Sequence, residues 1–144
     1  MSLKDGSKKM SKSELSDLSR INLTDDKDAI VNKIKKAKTD PLPMPSSVEE
    51  LNERLEARNL LGIYSSLNNS SLQKTVETFS GKNFSEFKNQ LSDLLVEKIE
   101  PISLEIKKLL NDQPYLDKIL LEGVEKANLI ASKKIDRIKE ILGF

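Results

Sequence analysis

The chain has 144 residues, of which 37% are apolar, 33% charged and 4% aromatic, with no tryptophan. It has neither histidine nor cysteine, which excludes histidine acid–base chemistry, thiol nucleophiles and Cys/His zinc sites. The 24 basic and 23 acidic side chains leave a net charge of +1, so overall charge signals no nucleic acid, and no apolar run approaches the ~18 residues of a membrane span.

The charge is unevenly spread. Residues 1–40 hold ten basic and seven acidic side chains, a net of +3, and residues 41–144 hold fourteen and sixteen, a net of −2. Five glycines and five prolines are too few for many tight hairpins, and the low aromatic content points to a thin-cored, helix-rich chain.

Residues 1–20 are rich in serine and lysine and show neither a period of 2 nor one of 3.6, so they read as an exposed loop. Thr24 is placed as an N-cap for a short helix over 25–38. Asp25, Asp26 and Asp28 stand in its first turn and Lys35, Lys36 and Lys38 in its last, as the helix dipole favours. Pro41-Leu42-Pro43-Met44-Pro45 cannot enter a helix interior and forms the best internal boundary. Ser47-Val48-Glu49-Glu50 reads as a capping box opening a helix to about residue 68, with Val48, Leu51, Leu55, Leu60, Leu61, Tyr64 and Leu67 on its apolar face.

A third helix is predicted over 71–79, from the Ser70-Ser71 cap to a stop at Gly81. A fourth starts at Ser85 with Phe84 as a staple, and its stripe is Phe87, Leu91, Leu94, Leu95, Ile99, Ile102, Ile106 and Leu109, with Pro101 expected to kink it. A fifth begins near Pro114 and either continues through Gly123 or restarts there. Val124, Ala127, Ala131, Ile135, Ile138 and Leu142 carry its stripe. The expected fold is all-α: a bundle of about five helices behind a flexible loop, with residues 1–23 as a phosphate-binding segment and 24–144 as a helical domain.

The chemistry sits in the loop. Lys9-Met10-Ser11-Lys12-Ser13 places two ammonium groups three residues apart among hydroxyls and free backbone N–H groups, a suitable clamp for polyphosphate. Such clamps stabilise the charge that builds on a departing pyrophosphate. On composition alone a lysine- and serine-rich terminus reads as a solvated tail. Lys133, Lys134, Arg137 and Lys139 make a basic cluster that could meet nucleic-acid phosphates, yet Asp136 and Glu140 interleave with them as on a solvated face. Glu50 and Arg54 read as an i, i+4 ion pair, and Tyr64 and Tyr115 as core or half-buried rings.

Lys9-Met10-Ser11-Lys12-Ser13 is the signature loop of class I aminoacyl-tRNA synthetases. The preceding Met1-Ser2-Leu3-Lys4-Asp5-Gly6-Ser7-Lys8 resembles the approach to that loop in bacterial tryptophanyl-tRNA synthetases. Downstream, Asp25-Asp26 followed by Ile30, Lys33-Ile34 and Ala37-Lys38-Thr39-Asp40 is similar to the family's first helix after the loop. Arg58-Asn59-Leu60-Leu61-Gly62-Ile63-Tyr64 resembles another of its segments, and Gly123-Val124-Glu125-Lys126-Ala127 with Ile141-Leu142-Gly143-Phe144 resembles its closing helix. These matches run in order along essentially the whole chain.

The resemblance implies that the parent enzyme activates tryptophan with ATP, taken with Mg2+ as substrate, and charges tRNA(Trp). Lys9 and Lys12 would act on the ATP phosphates, Ser11 and Ser13 would add hydroxyl contacts, and Met10 would anchor the loop. It implies a cytoplasmic homodimer with no bound metal or prosthetic group and no membrane attachment. The helical body would bind the tRNA anticodon, with Lys133, Lys134 and Arg137 as weak candidates for contacts.

The family's Rossmann-type nucleotide domain has no counterpart in this sequence, so the chain is expected to be a C-terminal fragment that is inert alone. Its first residues would be disordered by themselves, and apolar surface including Ile21 and Leu23 would be left where that domain packs. The competing reading is a freestanding helical module that binds RNA or protein. A tyrosyl enzyme is disfavoured because the chain closes on Gly143-Phe144 instead of a further RNA-binding domain.

Overall fold

The computed structural model describes residues 1–143. It contains five α-helices: α1 (Lys27–Lys36), α2 (Leu55–Leu67), α3 (Leu72–Phe79), α4 (Phe84–Asn111) and α5 (Gln113–Leu142). Two short 3-10 turns stand at Asp17–Ser19 and Glu49–Asn52, and no strand occurs among the described residues. The all-α expectation holds. The chain divides into two compact units, Met1–Leu104 and Glu105–Phe144, so compactness parts it inside α4, away from the 23/24 line drawn on function.

Unit 1 holds the core. Ile30 and Ile34 of α1, Ala57, Leu60 and Leu61 of α2, Val76 and Phe79 of α3, and Phe87, Leu91 and Leu95 of α4 are all buried together. Each such valine, leucine, isoleucine or phenylalanine side chain contributes roughly 1.5–3 kcal/mol on burial. Phe79 is the hub of an aromatic cluster, edge-on to Tyr64 at 4.9 Å and to Phe87 at 4.8 Å. Tyr64 is half-buried, as its position on the apolar face of α2 requires.

Several boundaries differ from expectation. Asp26, not Thr24, caps α1, accepting from the Ala29 N–H at 2.8 Å. Asp25 is thereby freed from the first turn and turns inward. The single helix expected from Ser47 to about 68 is broken at Glu53-Arg54. Arg54 is drawn off to Asp40, bonding it through Nε at 3.0 Å and Nη2 at 2.7 Å, and also donates to the Pro43 carbonyl at 2.8 Å. Its contact with Glu50 is only 3.9 Å. A bidentate guanidinium–carboxylate pair outweighs the i, i+4 pair read from spacing.

Ser71 caps α3 as expected, and Asn83 caps α4, accepting from Glu86 N–H at 2.8 Å, so the helix begins at Phe84, one residue before the expected Ser85, and Phe84 is its first helical residue instead of a staple preceding it. α4 runs through Pro101, which removes one donor from its ladder. Beyond that proline Ile102 of the expected stripe is 44% exposed, while Ile106 and Leu109 are half-buried and Ser103 is buried beside them in sequence.

The first residues are not a disordered tail. Leu3 is 2% exposed and joins the core. Its N–H donates to the Ser19 carbonyl at 2.9 Å and its carbonyl accepts from Lys38 N–H at 2.8 Å, while Ser2 N–H closes on Lys8 O at 2.8 Å. One buried leucine with two backbone bonds anchors a segment that has no periodicity to reveal it.

Unit 2 holds the end of α4 and all of α5. Asp112 caps α5, accepting from the Tyr115 N–H at 3.2 Å, and the helix continues through Gly123. Gly143 closes it at φ 78°, a left-handed position suited to glycine. No described residue of α5 is buried, and Tyr115 is 48% exposed, so neither the expected core stripe nor a half-buried Tyr115 is present. Phe144, the expected terminal residue of the family pattern, lies outside the described residues.

Candidate phosphate-binding loop

The loop Lys9–Ser13 lies between the anchored Leu3 and the 3-10 turn Asp17–Ser19. Lys9, Ser11, Lys12 and Ser13 are exposed and Met10 is half-buried. Neither lysine is in an ion pair among the described residues. The loop is therefore a free cationic surface on a held backbone.

The hold comes from Arg20. Its Nη1 donates to the carbonyls of Glu14 at 3.0 Å and Ser11 at 3.4 Å, and its Nε to Asn22 Oδ1 at 3.3 Å. Its Nη2 pairs with Asp17 at 3.0 Å. Asp17 also pairs with Lys33 at 2.6 Å, and Lys33 bonds Asp25 at 2.6 Å. Lys33 is 3% exposed, so two carboxylates answer a charge taken out of water. The hydrogen bond from Lys33, then that from Asn22, holds the Asp17 carboxyl below its ordinary range. A chain of charged contacts thus links the interior of α1 to the loop backbone. Sequence reading gave Arg20 and Lys33 no role of their own, since the bonds join loop carbonyls and acids with no periodic relation to them. A basic residue at position 33 within an apolar stretch of α1 was the available signal.

Two cavities flank the segment. A polar one of about 270 Å³ is lined by Lys4, Lys8, Lys9, Ser11 and Ser19 together with Asp5 and Glu14. It unites Lys9 and Ser11 but not Lys12 or Ser13. The Ser19 hydroxyl lies buried there with no protein partner. Hydrogen bonds from the Ser7 hydroxyl and amide hold the Asp5 carboxyl below its usual range, so it stays ionised beside Lys8 at 3.5 Å. The second cavity, about 870 Å³, is an apolar groove of unit 1 that includes Met10, Ile21, Leu23, Ile63, Leu67 and Ile99. Met10 reaches this groove, and Ile21 and Leu23, the two positions expected to carry uncovered apolar surface, both line it.

Lys133, Lys134 and Arg137 stand exposed on α5 in the other unit and take part in no ion pair among the described residues. No cluster of three or more acidic side chains suited to a metal occurs among the described residues, and none of their helices is long and apolar enough to cross a membrane.

Residues 1–99 match the model of the class I tRNA synthetases (W and Y). The chain is 51% identical over its full length to the tryptophan–tRNA ligase of Agrobacterium fabrum and 49% identical to that of Rickettsia felis, spanning 41% and 43% of those proteins. Its fold matches the crystal structure of tryptophanyl-tRNA synthetase from Mycoplasma pneumoniae with a TM-score of 0.72 at 24% identity, covering all of this chain and 45% of that one. The chain thus spans about two-fifths of the length of the curated relatives it matches. The signature loop, the helices that follow it and these likenesses lead to one assignment: the chain belongs to the class I tRNA synthetases of the W and Y family.

Proposed function

We propose that this chain is the loop-and-helix portion of a tryptophan–tRNA ligase, serving ATP-dependent activation of tryptophan and its transfer to tRNA(Trp). The observation that carries this reading is the Lys9–Ser13 loop, unpaired at its lysines and clamped at its backbone by Arg20, in a chain 51% identical to such a ligase. In this reading Lys9 and Lys12 bind the phosphates of ATP, supplied with Mg2+ as substrate, and neutralise charge on the departing pyrophosphate. Ser11 and Ser13 donate hydroxyl hydrogen bonds, and Met10 seats the loop in the apolar groove. The helices contact tRNA(Trp), with Lys133, Lys134 and Arg137 as candidates for its phosphates. A cytoplasmic homodimer is the working form of the whole enzyme. The chain alone is inert, because a phosphate clamp without adenine, ribose and amino-acid pockets positions nothing.

The test is a chimera in which residues 1–144 replace the matching part of the Agrobacterium fabrum ligase. Tryptophan-dependent ATP–pyrophosphate exchange is expected from the chimera and not from the chain alone. Lys9→Ala and Lys12→Ala in the chimera should each lower the rate by about 10²-fold. An active chimera indifferent to both substitutions refutes the assignment of the loop.

A further inference from the structure

The segment that leads into the loop lies along the first turns of α2. Leu55 and Asn59 stand one helical turn apart on a single face of that helix. Leu55 meets the turn Asp5–Lys8 at Gly6, where a Cβ would fall 2.6 Å from the Leu55 carbonyl. The Lys8 N–H closes that turn on the Asp5 carbonyl at 3.1 Å. Asn59 grips the root of the segment. Its Nδ2 donates to the Ser2 carbonyl at 3.0 Å and to the Met1 carbonyl at 3.2 Å, and its Oδ1 accepts from the Met1 nitrogen at 3.0 Å.

Ser2 is the residue through which this grip reaches the loop. Its N–H donates to the Lys8 carbonyl at 2.8 Å, and Lys9 follows directly. Ser2 is 8% exposed, and among the described residues its carbonyl has no donor other than Asn59. A buried carbonyl that loses its donor moves to regain water. Loss of the Asn59 amide therefore draws Ser2 outward and slackens its bond to Lys8. Leu3 does not replace that bond, because its own backbone bonds run to Ser19 and Lys38.

We infer that Asn59 is a positioning residue for the phosphate loop: from α2, through Ser2 and the Lys8 carbonyl, it fixes where the Lys9 ammonium stands. The Arg20 clamp holds the loop at Ser11 and Glu14, so Asn59 and Arg20 secure it on either side of Met10. The inference rests on the reading of Lys9 as a ligand of the ATP phosphates. A misplaced ammonium stabilises the departing pyrophosphate less, while the tryptophan pocket is untouched.

The test is Asn59→Leu in the chimera described above. Leucine keeps the volume, removes the hydrogen bonds and suits a helix better than asparagine, so α2 is preserved. The kcat of ATP–pyrophosphate exchange should fall about tenfold with the KM for tryptophan unchanged. In a Lys9→Ala background the same substitution should change kcat by less than about twofold, because its effect runs through Lys9. In the whole chain, trypsin should cut the Asn59→Leu variant after Lys8 and Lys9 about tenfold faster, with cleavage after Lys82, in the loop before α4, unchanged. Asn59→Asp, of the same shape and without the donor, should repeat these results.

An active chimera indifferent to Lys9→Ala would overturn both the loop assignment and this inference. An impaired Lys9→Ala chimera would leave the assignment standing. Asn59→Leu at full rate, or losses that simply add in the double variant, would then overturn the inference alone. Cleavage that rises equally after Lys82 marks a general loss of fold and overturns it as well.

Discussion

Replacing Gly6 by alanine places a methyl group against the first turn of α2. A Cβ built there falls 2.6 Å from the Leu55 carbonyl carbon and oxygen and 2.8 Å from the Glu56 nitrogen. These are backbone atoms of a helix and cannot rotate aside. Ordinary contact begins near 3.4 Å, so the N-terminal segment must withdraw by about 0.8 Å. If it yields elastically the cost is about 1 kcal/mol. If it detaches, the burial of Leu3 is lost at about 2 kcal/mol, with two backbone hydrogen bonds at about 1 kcal/mol each. The expected loss lies between these limits, near 2 kcal/mol, and lowers a urea midpoint by about 1 M. Gly62 supplies the control. It lies in the middle of α2 with nothing within 4 Å of a Cβ, so Gly62→Ala should stabilise by up to about 1 kcal/mol. Urea denaturation of both variants, followed by circular dichroism, reads the two signs. An unchanged midpoint for Gly6→Ala would show that the segment does not pack on α2 as described.

Lys33→Met should destabilise unit 1 by about 3 kcal/mol, because it strands the Asp25 carboxylate, 9% exposed, without its cation; urea denaturation measures this. Arg20→Ala should release the Ser11 and Glu14 carbonyls and speed tryptic cleavage after Lys12 by about tenfold, with the global midpoint little changed. Acid should destabilise the fold. The hydrogen bond from Lys33 depresses the Asp17 carboxyl and that from Lys38 depresses Glu56, so the folded state binds their protons less readily than the unfolded chain. Their stabilisation is complete above the ordinary values of 3.8 and 4.5 and is lost as pH falls through the lower folded values, which thermal melts across that range would show. Pro101→Ala should restore a donor in the interior of α4 and raise helix content and melting temperature, by up to about 3 kcal/mol in stability.

Local sequence determined most of what local physics controls. The apolar periods at Ile30 and Ile34, Leu60 and Leu61, and Phe87, Leu91 and Leu95 define helix faces wherever they occur, and those faces are buried in unit 1. Short-range hydrogen bonds did the same for the Ser71 cap, and the loop motif was legible because its five residues are contiguous.

Tertiary structure decided what depends on distant partners. The claim of Asp40 on Arg54 cuts the expected second helix, across 14 residues of sequence. The turn of Asp25 toward Lys33 moves a helix cap to Asp26. The Arg20 clamp and the burial of Leu3 turn an aperiodic terminus into an ordered edge. Burial itself is the clearest case. The stripe of α5 is as regular as those of α2 and α4, yet none of its described residues is buried, because periodicity specifies a face and only a second surface can cover it.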